Sequence, residues 1–223
     1  MAHVKQLGRY PLGRDASHIR HFTHWAYHDF AAKRGAMDFW SAVSGLEQAL
    51  WDLAGKRLGV PGGHAAGRTV PRADLASTPT AGTAAPRRRR PTRPRPRRRW
   101  PRGFTALKFD PFPGPWRTHI SREAEQAGGG ERCVPVREAV GPKVDLLVEV
   151  HRRLAPMHAV RIARMLEPFD PFWYEEPVSA RDWARWPSAA ARSGLPIVTG
   201  EELYTRFEFR EVFERRAAEH HQP

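Results

Sequence analysis

The chain has 223 residues, of which 40% are hydrophobic, with eight Trp, a single Cys and a net charge of +13. That length allows one large domain or two small ones with a buried core. The lone Cys133 excludes an intrachain disulfide framework, and no apolar run reaches the roughly 18 residues needed to span a membrane. The opening Met1-Ala2-His3-Val4-Lys5 lacks the apolar core of a secretory signal, so a soluble cytoplasmic protein with no membrane partner is expected.

Residues 1 to 35 mix His, Arg and aromatics without a clear period. From Asp38 the pattern turns helical: Val43, Leu46, Leu50, Leu53 and Ala54 share one face, Asp38 or Ser41 is the expected N-cap, and Gly59-Val60-Pro61 is the stop. Residues 68–102 then run through an Ala/Pro/Thr stretch into an Arg/Pro tract. Between Arg87 and Arg102 there are ten Arg and no acidic residue, so this stretch alone lifts the net charge from +3 to +13. With many Pro, mutually repelling Arg and little to bury, neither helix nor sheet is expected there. Order returns as alternating units, with strands over 104–109, 144–150, 172–175 and 196–199. Helices are expected over about 157–166, 180–193 and 206–218. Such alternation predicts an α/β fold with a parallel sheet and right-handed crossovers.

Three of the strands end near an acidic residue, Glu149, Glu175 and Glu201, at equal intervals of 26 residues. A (β/α)₈ barrel allots about 25 to 30 residues to each strand-helix unit and places its chemistry at the C-terminal strand ends. Equal spacing therefore predicts three carboxylates side by side at one mouth. Such a cluster repels itself unless a cation neutralises it, and oxygen ligands suit Mg²⁺. His151 follows Glu149 by two residues, which on an extended chain puts both side chains on the same side and makes His151 a candidate proton carrier.

Residues 44–61, reading SGLEQALWDLAGKRLGVP, resemble the signature helix of the mandelate racemase/muconate lactonizing group of the enolase superfamily. The stretches GFTALKFDP (103–111), VEVHRRL (148–154), WYEEPV (173–178) and TGE (199–201) resemble successive barrel strands of that group. The resemblance implies a capping-domain remnant over 1–67, an Arg/Pro-rich segment over 68–102 and a partial (β/α) TIM-type barrel over 103–223. It implies that Glu149, Glu175 and Glu201 take the places of the Mg²⁺ ligands, the first with Glu where Asp is common. Racemases and cycloisomerases of the group usually carry Lys-x-Lys on the second barrel strand. Here that strand reads Lys108-Phe109-Asp110, and the Glu-x-His at 149–151 is similar instead to galactonate- and gluconate-type sugar-acid dehydratases. In those a base removes the C2 proton, an enediolate forms at Mg²⁺, and the C3 hydroxyl leaves as water. His151 is then the general acid, with Lys108 and Asp110 expected to contact the substrate.

The same resemblance places the base on a later strand, so the chain as written is expected to dehydrate galactonate or gluconate little or not at all. Full-length relatives are expected to be homo-oligomers. The tract at 69–101, and the shorter Gly128-Gly-Gly-Glu-Arg-Cys-Val-Pro135 inside an expected helix, read as frameshifted coding sequence. The ending Arg-Ala-Ala-Glu-His-His-Gln-Pro reads as the start of a sixth strand, with His220 and His221 not forming a metal pair. Two other readings stand beside the dehydratase: a racemase or cycloisomerase on the same metal site, and nonspecific polyanion binding through the Arg tract, with no specific nucleic-acid partner.

Overall fold

A computed structural model of the chain describes residues 2–67, 75–77, 104–112, 119–179, 193–215, 217–218 and 220–221. They belong to two compact units, Met1–Arg72 and Ala73–Pro223. Among the described residues no helix is long and apolar enough to cross a membrane.

The first unit is helical from its start. Two helices, α1 (Ala2–Leu7) and α2 (Ile19–Asp29), occupy the stretch for which the sequence offers no period. They are held by few, large groups: Leu7, Ile19 and Phe22 are buried, Tyr10 stacks on Trp25 at 4.5 Å, and Phe30 lies 5.4 Å from Phe39. Ring-on-ring packing supplies apolar burial without a regular spacing, so periodicity does not reveal it. Helix α3 spans Met37–Leu58 and is preceded by Ala36, which provides no side-chain cap. The expected caps act otherwise: Asp38 sits in the first turn, where a carboxylate suits the helix dipole, and Ser41 Oγ donates to the Met37 carbonyl at 2.8 Å. The predicted stop is present, with Gly59 at φ 68° and the Val60 amide donating to the Gly55 carbonyl at 3.0 Å. Only the first half of α3 buries its apolar residues, Phe39, Trp40, Ala42 and Val43; Leu53 and Leu58 further along are 43% and 69% exposed. Beyond it the short α4 (Gly62–Ala65) folds back against Gly55, where a methyl would come within 2.8 Å of the Gly62 nitrogen.

The second unit is built on one sheet of six parallel strands in chain order, β1 (Leu75–Ser77), β2 (Ala106–Phe109), β3 (Asp145–Glu149), β4 (Pro171–Glu175), β5 (Ile197–Thr199) and β6 (His220–His221). This is a partial (β/α) barrel. Strand β1 corrects the expectation that residues 68–102 hold no regular structure. Leu75-Ala76-Ser77, one of the few places there with a large apolar residue, pairs with Ala106–Lys108. The Arg tract at 87–102 and nearly all of the helix expected over 180–193 lie outside the described residues. His220-His221 pair with Val198 and Thr199 as the sixth strand.

Strand alternation sorts the sheet into two faces. Leu107, Phe109, Leu146, Val148, Val150, Tyr174 and Ile197 form one buried cluster with Cys133 of α6 (Cys133–Val140), Ile162 and Leu166 of α7 (Pro156–Leu166), and Val212 of α8 (Arg206–Arg215). The intervening residues Lys108, Glu149 and Glu175 take the other face. Before α6 lie a short α5 (Arg122–Gln126) and a π-helical turn over Ala127–Glu131. The glycines there have a packing role that the frameshift expectation did not provide for. A methyl on Gly128 would overlap the Phe112 ring, and one on Gly129 would sit 3.0 Å from Met165 Cβ.

Candidate metal and acid-base site at the strand ends

Strands β3 and β4 are paired so that their last residues, Glu149 and Glu175, are direct partners. Both carboxylates are buried, at 3% and 0% exposure. Phe109 pairs with Val148, so Asp110, one residue past β2, stands beside Glu149 and extends the row of acids to three. Glu201 does not complete that row by register. Glu175 is paired with Val198, and Glu201 lies two residues past the end of β5. Strand β5 is offset by 23 residues from β4 (Tyr174 with Ile197), whereas β4 is offset by 26 from β3. Equal sequence intervals therefore do not give equal heights. The turn at Gly200 and Glu201 nevertheless returns the carboxylate to the site, and one ligand atom each from Glu149, His151 and Glu201 lie within 4.8 Å of one another.

His151 also reaches the site by a route other than the expected one. The strand stops at Glu149, and His151 and Arg152 both adopt left-handed backbone, at φ 56° and 58°. For residues with a side chain this costs on the order of 1 kcal/mol or more each. The turn is held by the amides of Val150 and His151 donating to Glu149 Oε1 at 3.0 and 2.9 Å, and by the Arg152 amide donating to the Glu176 carbonyl at 2.6 Å. The imidazole is thereby turned to Asp110, with Nδ1 3.0 Å from Oδ2, and lies 3.8 Å from Glu149.

Cations already stand among these acids. Lys108 Nζ donates to Glu149 Oε2 at 2.7 Å and also to Glu175 Oε1, while Trp173 Nε1 donates to Glu175 Oε2 at 3.0 Å. Lys108 and Asp110, expected to contact substrate, are thus joined to the acids and to His151. Burial, then the adjacent Glu149 carboxylate, pushes the Glu175 carboxyl up to about 7, with Lys108 only partly opposing. Burial also acts to raise Glu149, but hydrogen bonds from Glu175, Lys108 and the His151 amide outweigh it and hold that carboxyl below its usual range. The Lys108 ammonium, which burial alone would depress, is held above its usual range by the two glutamates.

Two residues that are not among the predicted site residues carry the network outward. Arg152 binds Glu176 at 2.9 Å, Glu202 at 3.2 Å and also Glu201. Buried Arg153 binds Asp110, the Phe112 carbonyl and, at 2.5 Å, the Val150 carbonyl. The signal was present as charge doublets: Arg152-Arg153 directly after His151, and Glu-Glu at both 175–176 and 201–202. Glu176, at φ 42°, turns its carboxylate away from the Glu175 position to take the Thr199 hydroxyl at 2.9 Å and the Gly200 amide at 3.0 Å. It thereby fixes the turn that carries Glu201.

Comparison with known proteins agrees with the parallel α/β architecture. Residues 94–223 match the family described as Enolase C-terminal domain-like, and residues 2–62 match the N-terminal domain of mandelate racemase/muconate lactonizing enzymes. The chain belongs to the mandelate racemase/muconate lactonizing enzyme family. A protein named D-galactonate dehydratase from Xanthomonas euvesicatoria pv. vesicatoria (strain 85-10) is 31% identical over 214 residues, covering 95% of this chain. The chain spans about half, 53%, of that relative's length. Among solved structures, one from Mesorhizobium loti superposes with a TM-score of 0.81 at 31% identity, covering all of this chain and 60% of its own. A mandelate racemase/muconate lactonizing enzyme from Jannaschia sp. CCS1 does so with a TM-score of 0.80 at 27% identity, again over all of this chain and 60% of its own.

Proposed function

We propose that this chain carries the metal-binding and acid part of a Mg²⁺-dependent sugar-acid dehydratase, with Glu149, Glu175 and Glu201 as the ligands and His151 as the general acid. The observation that carries the reading is the pair of buried, register-matched carboxylates Glu149 and Glu175 beside the Asp110–His151 pair, all at the carboxyl edge of a parallel sheet. The donor set fits a hard divalent cation. Two carboxylates share one ammonium, a third, Glu201, comes within 4.8 Å of ligand atoms of Glu149 and His151, and burial together with the Glu149 carboxylate pushes the Glu175 carboxyl up to about 7. The name carried by the 31% identical relative supports a sugar acid as the substrate class.

When bound, the cation supplies Lewis-acid stabilisation of the charge that develops on the substrate carboxylate during C2 deprotonation. The chain's own residues divide the remaining work. Glu149, Glu175 and Glu201 would hold the cation and so set where a carboxylate-bearing substrate could be held. Trp173 and Lys108 orient Glu175. The C2 proton goes to a base that these residues do not supply, and His151, as the imidazolium, delivers a proton to the departing C3 hydroxyl, so that the C3–O bond breaks, water leaves and the resulting enol becomes the 2-keto-3-deoxy acid. Lys108, clamped between two carboxylates and favoured as an ammonium, is a poor base, which supports the dehydratase reading over lysine-based racemisation or cycloisomerisation.

Titration calorimetry tests the ligand assignment. Mg²⁺ binding is expected in the wild type, and Glu175→Gln is expected to weaken it at least about tenfold, the lower bound for losing even an outer-sphere partner of a metal. Equal affinity in the variant would remove Glu175 from the site. Formation of 2-keto-3-deoxy acid from galactonate or gluconate, read colorimetrically, tests the activity, and any turnover is expected to disappear in His151→Asn.

A further inference from the structure

We propose that Asp110 is a positioning residue that fixes His151 in the Nδ1–H tautomer, so that any proton His151 exchanges with a substrate hydroxyl passes through Nε2. This rests on the reading of His151 as the acid that helps the hydroxyl leave, and it names what orients that acid. A carboxylate accepts and does not donate, so the 3.0 Å contact between His151 Nδ1 and Asp110 Oδ2 places the hydrogen on Nδ1. A neutral imidazole has one hydrogen to place, and committing it to Nδ1 leaves Nε2 as the accepting nitrogen; in the imidazolium, the acid form, Nδ1–H stays on Asp110 and the proton donated is the one on Nε2.

The carboxylate is itself held against rotation. Asp110 is 6% exposed, its Oδ1 accepts from the Phe112 amide at 2.7 Å, and its Oδ2 accepts from Arg153. Arg153 is anchored in turn by the Phe112 and Val150 carbonyls, so it cannot leave without losing three partners. His151 is fixed from the other side, its amide bound to Glu149 Oε1 at 2.9 Å and its backbone left-handed. The ring is therefore set between two supports on adjacent strands. A flexible surface His beside a chance acid would show neither the strained turn nor the buried, doubly bonded carboxylate. The same logic governs metal and catalytic histidines in general, where an acceptor on one ring nitrogen sets the chemistry of the other.

Long-range ¹H–¹⁵N correlation NMR on histidine-labelled protein, recorded in chelator at alkaline pH, reads the tautomer directly, with His151 assigned by the signal lost in His151→Gln. Wild type is expected to show Nδ1–H. Asp110→Asn presents a donor in place of an acceptor and is expected to shift His151 toward Nε2–H, with partial return in Asp110→Glu. A wild-type spectrum showing Nε2–H, or no change in an Asp110→Asn protein whose circular dichroism is native, would overturn the proposal. If that variant does not fold, the wild-type spectrum alone decides. The measurement needs neither Mg²⁺ nor substrate, so absence of dehydration would count against the function and leave the tautomer standing. Where turnover is measurable, Asp110→Asn should lower kcat by about 10² to 10⁴, the span of general acid-base catalysis, with KM little changed.

Discussion

The barrel-side face of the sheet and its helix-covered face each set a histidine against a buried carboxylate, His151 half-buried and His158 buried, and the two pairs are built differently. At the strand ends the buried acids have several partners: Asp110 is shared by His151, Arg153 and the Phe112 amide, and Glu175 by Lys108 and Trp173. Under the helices, His158 of α7 meets Glu125 of α5 through Nδ1 and accepts from the Ile120 amide at 3.4 Å, with Arg161 at 3.5 Å from the same carboxylate oxygen. The second oxygen, Glu125 Oε2, is buried with no hydrogen-bond partner among the described residues, as is the Tyr174 hydroxyl. A buried His–carboxylate pair is thus not by itself a site. What sets the strand-end group apart is a surplus of carboxylate over ammonium in a closely connected row.

The sharpest way to break this comparison is to remove one partner of the helix-side pair. Glu125→Ala should cost about 3 to 5 kcal/mol, the usual penalty for leaving half of a buried pair, measured as the loss in urea unfolding free energy. Replacing Glu125 and His158 together by Leu should recover most of that loss, because the buried carboxylate and imidazole go together and only the part-buried Ile120 amide, at 3.4 Å, loses an acceptor. Mg²⁺ affinity should be unchanged in the double variant. If affinity falls with stability, the two faces are not independent and the comparison fails.

Next in size is the pH dependence of the metal-free protein. Burial and Glu149 raise the Glu175 carboxyl from 4.5 to about 7 in the folded state. A group that binds its proton more tightly when folded contributes stability fully below its unfolded value, and that contribution is lost as pH rises through its folded value. With chelator present, stability should therefore fall between about pH 4.5 and 7, by on the order of 3 kcal/mol for a shift of this size. Glu175→Gln should flatten the fall, and Mg²⁺ should oppose it by replacing the proton with a cation. A melting profile with chelator that rises over this range would mean that Glu175 is not short of positive charge.

A smaller effect connects the two faces. Gly128 lies against the Phe112 ring, and the Phe112 amide and carbonyl hold Asp110 and Arg153. Gly128→Ala forces a methyl into that ring and should cost about 1 to 3 kcal/mol, as overpacked cores do. Because Phe112 must move, the variant should also blur the His151 tautomer, which a purely local repacking would leave alone.

The sequence made the sheet's order, its parallel sense and most strand limits legible, because doubly buried strands such as Leu146-Leu147-Val148 announce themselves by composition. It did not reveal α1 and α2, whose cores are clusters of rings rather than periodic stripes, or β1, whose three residues sit within a Pro- and Arg-rich background. At the site, the positions of Glu149 and Glu175 followed from spacing, since β3 and β4 keep the same 26-residue offset as the sequence. The height of Glu201 did not, because it depends on how β5 slides against β4. The roles of Asp110, Arg152 and Arg153 are three-dimensional facts. Each reaches a strand whose distance along the chain carries no information about hydrogen-bond geometry, and only the charge doublets hint at them.

The smallest expected change is a gain. Tyr174 precedes Glu175 on β4, so strand alternation turns it to the opposite face, into the cluster with Cys133, Ile162 and Leu166. Its ring is fully buried, burial raises its hydroxyl well above the usual phenol range, and that hydroxyl has no partner among the described residues. A buried hydroxyl without a hydrogen bond has given up its water for nothing, at about 1 to 3 kcal/mol. Tyr174→Phe keeps the ring and its packing while deleting only the stranded oxygen, so the folded state should gain about 1 kcal/mol once a small residual void is allowed for. The matching change one residue on, Glu175→Gln, acts on a carboxyl that already accepts from Lys108 and Trp173, and it should weaken Mg²⁺ binding. Chemical denaturation of the two variants side by side reads the contrast. A loss of stability in Tyr174→Phe would show that the phenol finds a partner in solution, and that the helix-side face satisfies its polar groups as fully as the strand ends do.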